Sequence, residues 1–378
     1  MIPPQLRAAA HWAASLAHGS PQYLVLYVTS RCNARCRMCF NWDGMEARRA
    51  VPTQSLEELT RLAQTAGRVP HLTLSGGEPL MRDDVAEILH AFYLHAGTPF
   101  FTVPTNALRP DRVGALIHRF ADLCPGAFLN FCLPFHGPEA VHDDVMGIPG
   151  AFAKRDETLR VVEAARAAHP NISCTLNCVL SQFNHTHWRE TLDLALGPYA
   201  GAPFGVAYAR GITHERDAVD FPLESYLKMY GELLARRRVG RSFNPYPVLQ
   251  AAMAREYRDT VAGVVAGEIR NLPCRAGSGM LVVFDDGKVY PCETLVNPEC
   301  CTAAAPPADA CMGDLHDTGH DLAALLRGDK ARDILRWRRQ NLCACTWECA
   351  VTNSALHSPR TLLRLGRSAL RHWISGKG

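Results

Sequence analysis

The sequence predicts an α/β fold: a partial (β/α)6 barrel of the TIM type, followed by a small cysteine-rich module of β-hairpin and helix. Three observations carry that prediction. From residue 23 to about 210, short β-branched or aromatic runs alternate with amphipathic stretches, the pattern of parallel strands joined by helical crossovers. There are six such units, fewer than the eight of a closed barrel, so an open side is expected. After Pro273 the texture changes to dense cysteines around an Asp-Gly turn.

The expected strands are Tyr23 to Thr29, His71 to Leu74, Pro99 to Val103, Ala127 to Leu133, Ile172 to Leu180 and Pro203 to Ala209. The first long helix opens on a capping box of Ser55 and Glu58 ahead of Leu59 and Leu62, which satisfies two backbone donors reciprocally. Residues 223–270 are charged and helical in pattern, with Tyr226, Leu227, Met229, Tyr230, Leu233 and Leu234 on one side, and read as a connector. Val282-Val283-Phe284-Asp285-Asp286-Gly287-Lys288-Val289-Tyr290 sets an Asp-Gly turn between apolar runs, a β-hairpin signal. Residues 302–309, rich in Ala and Pro, read as a flexible insertion. The expected layout is an N-terminal helical segment over 1–20, the barrel over 21–222, the connector over 223–270, the cysteine-rich module over 271–355 and a basic amphipathic helix over 356–378.

Composition narrows the function. A chain of 378 residues with 47% hydrophobic and 20% charged residues can bury a sizeable core. Lys+Arg 40 against Asp+Glu 37 leaves a net charge of +3, too balanced for a nucleic-acid-binding surface. No apolar run approaches the ~20 residues that span a bilayer, and no signal peptide opens the chain, so a cytoplasmic protein is expected. Fifteen cysteines are many for such a protein, because thiols in a reducing compartment serve metals or redox chemistry more than disulfides.

Directly after the first strand comes Cys32-Asn-Ala-Arg-Cys36-Arg-Met-Cys39. Three thiolates at this spacing can hold three irons of a 4Fe-4S cubane and leave the fourth iron open. A zinc knuckle is the other reading; it would need a fourth ligand, and His71 is the first histidine downstream. The triplet, with Ser75-Gly76-Gly77-Glu78-Pro79 after the second strand, resembles the radical S-adenosylmethionine (SAM) superfamily. The resemblance implies a 4Fe-4S cluster coordinated with SAM, whose one-electron reduction yields a 5'-deoxyadenosyl radical that abstracts hydrogen from a substrate. It implies that Gly76, Gly77 and Pro79 shape a cofactor clamp and that Glu78 contacts the SAM ammonium. Thr105 and Asn106 stand where the family often has a polar pair near SAM, or form an Asx turn before Pro110. Cys132 ends the fourth strand, where many relatives carry a serine that touches SAM; a buried core thiol is the other reading. Asn177 and Arg210 end the fifth and sixth strands, placed for SAM or for structure. The run His136 to Glu139, with His142, Asp143 and Gly147, resembles a segment of many relatives. Met38 departs from the aromatic residue usual beside the adenine.

The second cluster of cysteines reads C-x12-G-x4-C from Cys274 through Gly287 to Cys292, then Cys343-Ala-Cys345-Thr-Trp-Glu-Cys349. Four of these five thiolates could hold one zinc or a 4Fe-4S cluster. The pattern is similar to the SPASM and twitch auxiliary-cluster domains that follow radical SAM barrels, which implies iron-sulfur. C-x-C-x3-C in place of the fuller seven-cysteine pattern implies one auxiliary 4Fe-4S cluster, with Cys274, Cys292 and Cys349 as ligands and Cys345 or Cys343 as the fourth. Cys300, Cys301 and Cys311 have no assigned chemistry.

Arg360, Arg364, Arg367 and Arg371 form one helical stripe opposite Leu362, Leu365, Ala369, Leu370 and Trp373; it reads as a docked terminal helix or as a peripheral membrane contact. Only 31 residues precede Cys32, leaving no room for the fused recognition domain of many peptide-modifying relatives. The expected enzyme is therefore a radical SAM oxidoreductase acting on a small molecule such as a sugar or cyclitol. Its auxiliary cluster would accept an electron, and a flavodoxin- or ferredoxin-type donor would reduce it. A maturase modifying a peptide or protein side chain is the alternative, and a zinc-stabilised binding protein without chemistry is the alternative of another class.

Overall fold

The computed structural model describes residues 20–236, 246–268, 274–297, 307–341, 343, 345–359, 361–364 and 366–367. The expected N-terminal helical segment, Cys300, Cys301, most of the 302–309 insertion, and Arg360, Leu365 and the tail from 368 onward lie outside these residues. Among the described residues no helix is long and apolar enough to cross a membrane.

Six strands form where the sequence places them: β1 (Tyr23–Tyr27), β2 (His71–Ser75), β3 (Phe100–Pro104), β4 (Phe128–Pro134), β5 (Ile172–Leu180) and β6 (Phe204–Tyr208). All pair in parallel with their neighbours in chain order. Helices fill the crossovers: α1 (Trp42–Arg48) and α2 (Leu56–Thr65) after β1, α3 (Val85–Ala91) after β2, and α4 (Pro110–Leu123) after β3. Then come α5 (Glu139–Met146) and α6 (Ala151–Arg166) after β4, and α7 (Trp188–Leu196) after β5. The capping box of α2 is complete, with Ser55 Oγ accepting from Glu58 N at 3.3 Å and Glu58 Oε2 accepting from Ser55 N at 2.7 Å. The 223–270 stretch folds as two helices, α8 (Leu223–Arg236) and α9 (Tyr246–Val265).

The hairpin forms around the Asp-Gly turn as β7 (Met280–Val283) and β8 (Lys288–Tyr290), and β8 pairs in turn with β9 (Gly313–Asp314). It does not stand apart from the barrel. β7 pairs in parallel with β1, from Tyr23 opposite Met280 to Leu26 opposite Val283. The result is one nine-stranded sheet, ordered β6-β5-β4-β3-β2-β1-β7-β8-β9. Burial explains the difference from a free hairpin: Met280, Leu281, Val282 and Val283 are all fully buried, the unbroken apolar run of a parallel strand covered on both faces. Among the described residues three further named helices follow: α10 (Leu322–Arg327), α11 (Asp329–Gln340) and α12 (Glu348–Leu356). Beyond α12, Arg364 of the C-terminal stripe pairs with Glu256 of α9 at 2.7 Å, while Leu362 and Leu363 are exposed.

The hairpin turn is gripped by the segment that follows the first strand. Arg48 Nε lies 2.8 Å from Asp285 Oδ1, and its guanidinium stacks 4.4 Å above the Phe284 ring. Gln54 donates through its backbone N to Asp285 O and through Nε2 to Phe284 O, both at 2.9 Å. Asp285 is only 2% exposed, so Arg48→Ala strands a buried carboxylate. We expect a loss of about 3 kcal/mol, read as a lower Tm; an unchanged Tm would show that the pair contributes nothing.

Candidate active site

The loop after β1 carries Cys32, Cys36 and Cys39 to the carboxyl ends of the strands, where parallel α/β folds collect their chemistry. Two neighbouring segments fix its path. On one side Gly77 N donates to Thr29 O at 2.7 Å and Glu78 N to Arg31 O at 2.8 Å. A Cβ on Gly76 would lie 2.5 Å from Thr29 O and one on Gly77 2.3 Å from Arg31 O, so this close approach needs glycine. The glycine pair therefore serves the contact between the two loops. On the other side Arg35 N donates to Met146 O and Arg37 N to Val145 O, at 3.2 and 3.0 Å. Gly147 ends α5 at φ 63°, where a Cβ would lie 2.5 Å from Arg35 O. The His136-to-Gly147 run noted in the sequence is thus a brace for the cysteine loop.

The three thiols influence one another. Burial pushes the Cys36 thiol well up, with Cys39 and Cys32 adding to it, and burial lifts Cys39 to about 11. A metal binds these sulfurs as thiolates, and binding it releases their protons. His71 does not join them. It sits at the amino end of β2, with Nε2 2.9 Å from Thr102 Oγ1 and its ring against Tyr23.

A cavity of about 450 Å³ opens beside the thiols and runs down the barrel interior. Of the residues singled out in the sequence, Cys32, Cys36, Cys39, Gly77, Glu78, Thr105, Asn106, Cys132, Asn177, Arg210 and Cys349 line it, as does Met38; Gly76 and Pro79 do not. Glu78 is almost fully buried and accepts from Leu80 N at 3.1 Å, Thr105 Oγ1 at 2.9 Å and Asn106 N at 2.6 Å. Burial nevertheless raises its carboxyl to about 7. A cationic group brought against it would favour the carboxylate again. Asn106 also reaches Cys32 Sγ at 3.8 Å, linking the polar pair to the triplet.

The cavity also holds groups that sequence reasoning missed. Trp347 is buried against Phe40 of the cysteine loop, with ring centroids 5.1 Å apart, and donates to Glu293. Glu293 also accepts from Tyr27 Oη at 2.8 Å. Arg210 stacks 4.6 Å from the Trp347 ring and donates to Thr346 O at 2.8 Å and Tyr257 Oη at 3.2 Å. It thus ties the end of β6 to the C-terminal segment and to α9. Burial works against its charge, but Tyr257, Glu348, Cys349 and Glu293 more than offset that. Glu348 faces the cavity with no hydrogen-bond partner among the described residues, and burial raises its pKa. Burial takes the Cys132 thiol to about 12, with Glu348 adding to it.

The five downstream thiols separate into two environments. Cys292 is pushed well up by burial and then by Cys274, Cys345 and Cys343. Cys345 is raised to about 11 by burial, with Cys274 adding to it. Cys349 lies elsewhere: it lines the barrel cavity, accepts from Tyr23 Oη at 3.4 Å, and is raised to about 12 by burial and Glu293. Cys311 turns to Gly313 O, and Cys124, Cys174 and Cys178 are buried among core side chains. Among the described residues no three thiols have their sulfurs all within 4.8 Å of one another, whereas sulfurs around one zinc ion stand about 4 Å apart.

A model of the radical SAM superfamily matches residues 26–195, and one of the SPASM iron-sulfur cluster-binding domain matches 274–350. The chain belongs to the radical SAM superfamily. It carries a radical SAM domain followed by a SPASM iron-sulfur cluster-binding domain, so its cofactors are SAM and iron-sulfur clusters. The pre-heme d1 synthase of Dinoroseobacter shibae is 28% identical over 186 residues, 47% of this chain and 42% of that protein. The GTP 3',8-cyclase of Bradyrhizobium diazoefficiens is 30% identical over 182 residues, 47% of this chain and 50% of that one. The AdoMet-dependent heme synthase of Methanosarcina barkeri is 26% identical over 288 residues, 72% of this chain and 77% of that one. The chain thus spans half or less of the length of the first two. Among solved structures, native anSMEcpe with bound AdoMet has the same fold, with a TM-score of 0.56 and 14% identity over 94% of this chain and 99% of that one. Streptococcus suis SuiB bound to the precursor peptide SuiA gives 0.52 and 17%, over 85% and 71%.

Proposed function

We propose that this radical SAM enzyme oxidises a small molecule held in the barrel cavity. Cys32, Cys36 and Cys39 hold the catalytic 4Fe-4S cluster, and Cys274, Cys292, Cys343 and Cys345 hold one auxiliary cluster. The observation that carries the reading is one cavity lined by the cysteine triplet, Glu78, Thr105 and Asn106 together with Glu348, Arg210 and Cys349. When bound, the catalytic cluster with SAM supplies a 5'-deoxyadenosyl radical that takes a substrate hydrogen, and the auxiliary cluster supplies an electron acceptor.

The chain's own residues do the rest. Glu78, fixed by three donors, presents its carboxylate to the ammonium of SAM. Glu348, without a hydrogen-bond partner among the described residues and raised by burial, takes the proton released when a substrate carbinol loses hydrogen. Trp347 and Arg210, stacked 4.6 Å apart, line the same cavity and contribute an aromatic face and a cation to it. The names of the curated relatives, which carry heme and GTP, support a small substrate over a peptide.

The test uses the reconstituted, reduced chain with SAM and a filtered cell extract of small molecules treated with peptidase. We expect substrate-dependent 5'-deoxyadenosine formation. Stimulation that vanishes on peptidase treatment would overturn the small-molecule reading in favour of a peptide.

A further inference from the structure

One group of potential metal ligands stands apart from both thiol sets. Glu58, His316 and His320 each offer a ligand atom, and these atoms all lie within 4.8 Å of one another. They meet at the seam between α2 and the turn that follows β9, and none of them lines the barrel cavity.

The neighbours of each group determine what it can offer. Glu58 Oε2 is occupied by Ser55 N at 2.7 Å, which leaves Oε1 facing His320 Nε2 at 3.2 Å. Gln54 Nε2 donates to Phe284 O, and this fixes the amide so that Oε1 faces His320 Nδ1 at 3.2 Å. His316 Nδ1 lies 2.7 Å from Asp314 Oδ1. An amide oxygen and a carboxylate oxygen only accept, so in both rings the proton sits on Nδ1 and Nε2 carries a lone pair. A lone pair on His320 Nε2 then confronts the Glu58 carboxylate with no hydrogen between them. Only a proton or a cation relieves that contact. Imidazoles fixed through Nδ1 by an acceptor, with Nε2 free, are the arrangement found in metal-binding histidines. His320 is also held at φ 64°, a left-handed backbone uncommon outside glycine.

We propose that Glu58 Oε1, His316 Nε2 and His320 Nε2 bind a zinc ion, with water in the fourth position, cross-linking α2 of the barrel to the segment after β9. Two imidazoles and a carboxylate are a zinc donor set with one open position.

The test adds zinc to the chain already loaded with iron and sulfide, then desalts it. About one zinc per chain should remain, and added zinc should raise the Tm by mass action. His316 is half-exposed, so His316→Ala should fold normally, lose that zinc and the Tm rise, and keep its iron and its 5'-deoxyadenosine formation. Asp314→Asn should weaken zinc binding about tenfold or more. Zinc retained equally by His316→Ala, or none retained by the unaltered chain, would overturn the site.

Discussion

A Cys36→Ala chain should keep its auxiliary iron and form no 5'-deoxyadenosine. Two cubanes give about eight irons per chain, and loss of one leaves about four. Cys36 lies between Cys32 and Cys39 in both sequence and electrostatics, with its sulfur 3.7 Å from Met146 Sδ. Removing one thiol leaves two ligands for a cluster that needs three, while the loop path survives because it hangs on backbone bonds to Val145 and Met146. The circular dichroism spectrum should therefore be unchanged while activity falls to background. Persistent 5'-deoxyadenosine formation would contradict the ligand assignment, and a changed spectrum would mean that the thiol is needed for folding.

The second large effect separates two cysteines four residues apart. Cys345→Ala should drop iron from about eight to about four per chain, whereas Cys349→Ala should leave it near eight. Cys345 belongs with Cys274 and Cys292, while Cys349 faces Tyr23 and the barrel interior. Iron analysis and the cluster spectrum of each variant decide the matter. The opposite pattern, iron lost from Cys349→Ala and kept in Cys345→Ala, would return Cys349 to the ligand set. With Cys349 outside that set, Cys349→Ala should alter substrate turnover, because its thiol borders the space beside Glu348.

What the sequence makes legible is whatever is local. The six barrel strands lie within two residues of their expected bounds because apolar runs, turn residues and the Ser55 capping box act over a few positions. The triplet and the Gly-Gly-Glu-Pro run are likewise contiguous. Pairing of β7 with β1 leaves no local trace: an apolar run such as Met280–Val283 reads the same in a hairpin or beside a distant parallel strand. The same holds at the site. Glu293, Trp347 and Tyr257 meet Arg210, and Tyr27 meets Glu293, all from separate elements, and none carries a spacing signal. Spacing also could not sort the C-x-C-x3-C thiols, because whether Cys349 points to the hairpin or into the barrel depends on how α12 begins.

The placement of β1 between β2 and β7 also bears on how the chain is born. Its partner Met280 lies 257 residues after Tyr23 (280 − 23), a contact of very long sequence separation, and such contacts form late. Until residue 283 leaves the ribosome, one edge of the strand that launches the cysteine loop is bare, a template for pairing with another chain. The nascent barrel is thus at its most aggregation-prone where its thiols are most accessible. Chains truncated before Met280, which leave that edge of β1 unpaired, should therefore precipitate more readily than the full chain.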